Sequence, residues 1–482
     1  MATIDLLVIA FYLVAVTVLG SICGRGQTTG ISYFLASRSV HWLPAGIAMT
    51  AVSISSITFI GMPGQAFRSD WTFLQIYMII PLAALLVCNV FLPVYSRLRV
   101  VTAYQYLETR FDLRTRLAAA ALFQLILCGS SGVVLYAPSI MLAEMTGFSV
   151  ARSILIIGVI TTVYTMLGGV RGVIYTDVLQ AAIFMGGWAL AVVLIVNALP
   201  GGITQAWHVA AGHDKLRVFD FSLDPRLPAT FWSGAIAMLF THVALNGVSQ
   251  TQVQKFLTVS SMRGGRTAIL FHGLTQLGVY AAFFALGTLL FVFYQIHTGR
   301  LPKGIAADRV FSFFIVREAP PGWRGFLIVA AFAPAMSTLS SGLNSLASVT
   351  VMDFLDRLRP GGTVRRAKVC TVLWGLVVMG AGLLAWRLGS ILELVIKINS
   401  YFYGCLLGLF LLGMFTTRCS ARGALLGLAA GMAAVLACSA LQPELWIWFV
   451  AIGCLVCFGA GYFSSPGKFD ELRYRSPERA RH

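Results

Sequence analysis

The sequence predicts an all-α polytopic membrane protein with about thirteen transmembrane helices, and three observations predict it. Of its 482 residues, 58% are hydrophobic and only 11% are charged. Mean hydropathy is +0.83, the signature of a chain made mostly of spans rather than a soluble body with an anchor. Long apolar runs recur from end to end, and the basic residues between them alternate between loops in a way that bilayer topology explains.

The spans fall at about 3–23, 42–66, 71–96, 117–146, 149–168, 174–198, 229–257, 264–296, 322–353, 367–386, 389–416, 421–440 and 445–463. The first segment has no basic residue before it and no A-x-A-like site after it, so it is a retained span rather than a signal peptide. With the N-terminus outside, the inside loops carry Arg25, Arg38, Arg97, Arg99, Arg110, Arg114, Arg116 and Arg171. They continue with Lys255, Arg263 and Arg266, the Arg357–Lys368 group, and Arg418 with Arg422. Short outside loops hold only Arg68, Arg152 and Arg387. The net charge of +17 is therefore a positive-inside signal that puts the C-terminus in the cytoplasm. It argues for neither nucleic acid nor a soluble basic domain. Nine cysteines are scattered. Cys454 and Cys457 form a CxxC inside a span, with no second pair, and are expected to be packing residues.

Three stretches interrupt the apolar pattern. In 330–353 a stripe of Ser337, Ser340, Ser341, Asn344, Ser345 and Ser348 recurs at helical spacing. A polar stripe in hydrocarbon must face another helix or a hydrated pocket. Pro334 lacks an N–H and frees the Ala330 carbonyl. Carbonyls and hydroxyls together are hard neutral ligands that suit an alkali cation, although a small-residue packing helix has the same composition. The second span carries Ser53, Ser55, Ser56 and Thr58 at its centre, between Gly46 and the Gly61–Pro63–Gly64 cluster. Hydroxyl side chains compete for backbone groups there, and a helix broken at that point exposes polar backbone near the midplane. The seventh span is interrupted in the same way by Thr241, His242, Asn246, Gly247 and Ser249. Each interrupted helix begins a set of about five spans, the expectation for an inverted five-plus-five repeat.

Few charges remain within spans. Asp177 needs either a cation partner or an interfacial helix N-terminus. Glu393 and Lys397 stand in ion-pair order on one helix face, Asp353 is expected at the interface, and His242 and His272 are expected to be hydrogen-bonded packing residues.

AMSTLSSGLNSLASVTVMD, GGVRGVIYTDVLQ, FIGMPGQAF and QTQVQKFL together resemble the sodium/solute symporter family over nearly the whole chain. The resemblance implies a leucine-transporter-like five-plus-five inverted repeat with broken first and sixth core helices, flanked by an extra N-terminal helix and further C-terminal ones. It implies a sodium site at the carbonyls of Ala51 and Ile54 in the first core helix, with Pro334, Ser337 and Thr338 in the eighth; members usually have Ala where Pro334 stands. A second sodium site, found in some members, implies Asp177 with Ser337, Ser340 and Ser341. The same match draws the solute pocket from Ser53, Ser55, Thr58, Phe73, Tyr77, Gln124, His242 and Asn246.

The implied activity is sodium-coupled import of a small organic solute by alternating access. VVTAYQYLETRFD and LYAPSIMLAEMTG resemble the branch that carries monocarboxylates, iodide and vitamins, and lean towards a small organic anion. The helix at 117–146 has no Arg or Lys where sialic-acid members place an Arg, and sugars or amino acids fit nearly as well. A symporter-like membrane sensor is the reading from another class; the short tail after Phe463, with no kinase-like domain, counts against it. No HExxH, GxSxG or paired midplane carboxylates point to an enzyme. The expected partners are the solute, Na+ and the lipid bilayer. The expected place is the plasma (inner) membrane. The divisions are an N-terminal helix and inner loop to 40, repeats at 41–198 and 229–416 around an external loop at 199–228, C-terminal helices at 417–463 and a cytoplasmic tail at 464–482.

Overall fold

The computed structural model describes residues 2–358, 361–385 and 391–465. Most of the tail expected at 464–482 lies outside the described residues, and so do the side chains of Glu393 and Lys397. Among the described residues there is no strand, only an isolated bridge between Val40 and Val259.

The helices that matter here are, in order, α1 (Thr3–Cys23), α2 (Trp42–Ser53), α3 (Ser56–Arg68), α4 (Thr72–Leu98), α5 (Leu113–Thr146), α6 (Val150–Ala198), α7 (Met238–Gly247) and α8 (Gln250–Leu257). They are followed by α9 (Met262–Ile296), α10 (Trp323–Val349), α11 (Thr363–Ala385), α12 (Ile391–Phe415), α13 (Ala421–Leu441) and α14 (Phe449–Phe463). Side-chain caps start several of them. Asp112 accepts the Thr115 amide at 2.8 Å, and Ser149, Ser261 and Ser420 play the same part for α6, α9 and α13.

Nine helices among the described residues are long and apolar enough to cross a membrane, ten when α2 and α3 count as one bent span. The sequence suggested about thirteen, and the difference lies in three places. The segment at 229–257 divides into short helices, only Asn399–Phe415 of α12 counts as an apolar helix, and α6 is one continuous 49-residue assignment. Yet α6 folds back on itself. Gly169 inside it has φ 53°, ψ −162°, a conformation open to glycine. A Cβ on Gly20 would lie 3.1 Å from Tyr164 Cβ and 3.4 Å from Thr176 Cγ2. Those two residues would stand about 18 Å apart on a straight helix. The spans expected at 149–168 and 174–198 are therefore two arms of a hairpin.

Glycine lets α1 lie against that hairpin. A Cβ on Gly24 would meet the Leu167 carbonyl oxygen at 2.1 Å, and one on Gly168 or Gly172 would meet the Gly20 carbonyl oxygen at 2.7 or 2.8 Å. At the top of α1, Asp5 accepts the amides of Gly322 and Gly325 at 2.7 and 3.0 Å and so caps the start of α10.

Helix α10 is the axis of the bundle: from Leu327 to Val349 every residue but Thr338 is buried, whereas α1 buries only Asp5, Ile9, Tyr12, Val16 and Gly20. Its Ala, Ser and Gly content permits this, since small residues admit neighbouring backbones. Asp353, expected at the interface, is instead fully buried. It accepts Arg116 Nε at 2.7 Å and the Thr102 hydroxyl at 2.8 Å, while Arg116 also reaches Glu108 at 2.6 Å. A carboxylate needs such partners to stay charged away from water. Cys454 and Cys457 are buried packing residues of α14, as expected.

Candidate functional site

The first interruption is a true break. Helix α2 ends at Ser53, Ile54 is extended (φ −103°, ψ 106°), and Ser55 caps α3 by accepting the Thr58 amide at 3.3 Å. The two pieces are bent by 59°. Breaking a helix strands the carbonyls of one piece and the amides of the next. Ala51 keeps a single turn-like bond from Ile54 N–H at 3.3 Å.

Helix α10 meets these stranded groups at Thr338. Its hydroxyl lies 3.2 Å from the Val52 carbonyl and 3.0 Å from the Pro334 carbonyl, with an oxygen of each helix on either side. Of the carbonyls at the break, the one that meets Thr338 is that of Val52, between the expected Ala51 and Ile54, and Pro334 supplies the carbonyl on the other side. Ser337 turns away from this group. Its hydroxyl donates to Asp177 Oδ1 at 2.6 Å.

Asp177, on the second arm of α6, has no exposed surface. Ser341 donates to its Oδ2 at 3.2 Å, while Ser340 donates to the Ser337 carbonyl at 3.0 Å. The cation partner that the sequence called for is Lys255, whose Nζ pairs with Asp177 Oδ2. The sequence places Lys255 among the inside-loop cations. The structure buries its side chain to 2% exposure, because α8 turns inward after the second break.

The solute residues gather only in part. Ser53 receives Gln252 Nε2 on its hydroxyl at 2.8 Å and the Tyr280 hydroxyl on its carbonyl at 3.4 Å. Gln276 Nε2 donates to that tyrosine at 2.9 Å. Tyr280 packs on Tyr77 with ring centroids 4.3 Å apart, and Tyr77 meets both His242 and Phe73 edge-on at 6.1 Å. Asn246 Oδ1 is bonded to His272 Nε2 at 3.0 Å, and His272 Nδ1 to Thr50 at 3.3 Å. Ser55 and Thr58 stand at the start of α3, their hydroxyls 3.4 Å apart.

Gln124 is elsewhere. It donates to Thr350 Oγ1 at 2.6 Å, about thirteen residues and about 20 Å along the helix from Ser337. Residues that the sequence did not suggest stand around Ser53: Gln252, Tyr280 and, through Tyr280, Gln276. Three buried polar atoms in this neighbourhood have no partner among the described residues, namely His242 Nε2, Gln252 Oε1 and Gln276 Oε1. Buried polar atoms in a native protein are ordinarily bonded. Both glutamine amides are oriented by their NH2 bonds, so what they offer is acceptor oxygens.

A helical bundle with two interrupted core helices, a hydroxyl between carbonyls at one break and unpartnered polar atoms beside it fits the class of secondary carriers. The description "Sodium:solute symporter family" matches residues 33–431, and the chain belongs to that family. It is 31% identical over 475 residues to the sodium/sialic acid symporter SiaT of Proteus mirabilis, covering 94% of this chain and 93% of that one. It is also 31% identical to the sodium-dependent multivitamin transporter of Oryctolagus cuniculus, covering 92% and 69%, and 29% identical to human sodium-coupled monocarboxylate transporter 1, covering 89% and 72%. Among solved structures, a substrate-bound, outward-open Na+-coupled sialic acid symporter superposes with a TM-score of 0.88 at 29% identity over 97% of this chain and 99% of that one. A closed nucleobase-cation-symport-1 transporter at 17% identity, covering 92% and 96%, shares the fold with a TM-score of 0.59. The fold is the leucine-transporter-like inverted repeat. The protein is a multi-pass membrane transporter, not an enzyme, and its activity is sodium-coupled symport of a small solute.

Proposed function

We propose that this chain imports a small organic anion carrying hydroxyl or amide donors across the plasma (inner) membrane. Sodium enters from outside at Thr338, Pro334, Ala51 and Ile54. The observation that carries this reading is the Thr338 hydroxyl set between the Val52 and Pro334 carbonyls. A cation taking its place bridges the broken first core helix to the eighth with hard oxygen donors, and so favours the state in which the two are together. Ser337, one position away, links that site to Asp177.

The solute fits beside the break. Acceptors at Gln252 and Gln276 take its hydroxyl or N–H groups, and Tyr77 with Phe73 covers its apolar part. A carboxylate takes the amides of Ser56 and Ile57 at the start of α3, which precede the Thr58 amide capped by Ser55 and the first intrahelical bond, from Phe59 to Ser55 at 3.0 Å. Relatives named for sialic acid, monocarboxylates and vitamins support an anion. The repeats at 41–198 and 229–416, with the N-terminus outside and the tail in the cytoplasm, complete this reading.

Binding is cooperative and reciprocal: sodium raises solute affinity by the factor by which the solute raises sodium affinity. Thermal unfolding of the purified chain in sodium chloride and in choline chloride, with short hydroxy acids, sialic acid, pantothenate-like amides, sugars and amino acids, tests it. The expected result is a solute whose stabilisation requires sodium and disappears in Thr338→Val. Sodium-independent stabilisation by the best solute, or no response to sodium at all, overturns the reading.

A further inference from the structure

The second cation position implied by the serine stripe is built around a charge that the chain itself supplies. Asp177 accepts Ser337 on Oδ1, and Ser341 together with Lys255 on Oδ2. Lys255 Nζ also donates to the Ala48 carbonyl of α2 at 3.2 Å. One ammonium therefore ties α8 to α2 and α6, and the carboxylate carries the connection on to α10.

Two features set this arrangement against a sodium ion. Both serine hydroxyls point their protons at the carboxylate, and with Lys255 they engage three of its roughly four lone-pair positions. The charge is also balanced: one buried carboxylate faces one buried ammonium. A sodium ion added there would share a single anion with a like charge at contact distance, in surroundings that screen poorly.

We propose that Lys255 is the resident cation of the Asp177 site, a tethered substitute for a second sodium, which holds this symporter to one coupled sodium ion. Removing the ammonium leaves Asp177, Ser337, Ser340 and Ser341 as four oxygen donors with a net negative charge. That set recruits a sodium ion in its place. Lys255 is also a positioning residue. Its bond to Ala48 lies one turn before the first break, and its partner Asp177 holds Ser337 next to Thr338. The proposal rests on the sodium site at Thr338 and concerns how many ions the chain takes.

The experiment counts sodium bound to the purified full-length chain by equilibrium binding of radioactive sodium at fixed ionic strength, with the sodium dependence of thermal stability read in parallel. About one ion per chain is expected in the wild type, about two in Lys255→Met, and about one again in Asp177→Asn/Lys255→Met. Lys255→Met is also expected to be stabilised by sodium more steeply than by potassium, which keeps the test open if that variant is weak in sodium-free buffer. A wild type that binds two ions overturns the proposal and leaves the Thr338 site standing. A folded Lys255→Met that still binds one ion does the same. A wild type that binds none removes the Thr338 site, and this proposal with it.

Discussion

The two helix breaks are related by the repeat, yet they are put to opposite uses. At the first, between α2 and α3, Ser53, Ser55 and Thr58 are only half-buried. The Val52 carbonyl beside the break is met by the Thr338 hydroxyl, which in the proposed function a cation displaces. At the second, between α7 and α8, the stranded carbonyls are closed by tyrosines: Tyr95 donates to Gly247 at 2.7 Å and Tyr104 to Val248 at 3.3 Å. Every residue of α8 is buried, and its polar side chains all grip neighbours. Gln250 holds the Val101 carbonyl and the Ala103 amide, Gln254 holds the Phe34 carbonyl and Asn344, and Lys255 holds Asp177. A helix break is a supply of unsatisfied backbone, and the partner that satisfies it decides whether it becomes an ion site or a clamp.

The largest effect expected from breaking this contrast comes from Gln250→Leu, which orphans two buried backbone groups and costs about 2–5 kcal/mol. Thermal unfolding is expected to show equal losses in sodium and in choline, because the clamp is not an ion site. Tyr95→Phe, which leaves the Gly247 carbonyl bare, is expected to cost about 1–3 kcal/mol, again without altering the sodium midpoint. Thr338→Val gives the reverse pattern. It weakens sodium binding about tenfold, about 1.4 kcal/mol, with little change in sodium-free stability. A drop in sodium-free stability as large as that of Gln250→Leu would show the first break to be a clamp as well. Where the two regions touch, a double-mutant cycle of Ser53→Ala and Gln252→Leu is expected to give a coupling of about 1 kcal/mol. The smallest effect is expected from Gln124→Leu: about 1 kcal/mol of stability and unchanged sodium and solute responses.

Much of this contrast could be read before the fold was seen. Hydropathy places most of the spans, and the polar stretches at 51–58 and 241–249 mark both breaks, because hydroxyl side chains and glycines weaken a helix wherever they gather. The stripe on α10 leads to Ser337 and Ser341, which the structure sets against Asp177. What spacing cannot give is the partner across space. Asp177 and Lys255 lie 78 positions apart, and a lysine near a loop looks like a topology signal until α8 is seen to turn inward. Gln124 stands apart from the other expected solute residues for a related reason. On a 34-residue helix, periodicity fixes the face but not the depth at which that face meets Thr350. Tyr280 and Gln276 sit on an ordinary apolar helix, and only its packing against Ser53 and Tyr77 brings them to the pocket.

The glycine seam between α1 and the α6 hairpin has a mechanical consequence. Side chains between helices act as rollers: their rotamers change and the axes slide. Where Gly20, Gly24, Gly168 and Gly172 bring backbone against backbone, there is nothing to roll on. Helix α1 and the corner of the hairpin therefore form a seam that resists sliding. Between α10 and α2, by contrast, the hydrogen bond is a side-chain one, from the Thr338 hydroxyl to the Val52 carbonyl, and a side chain can turn.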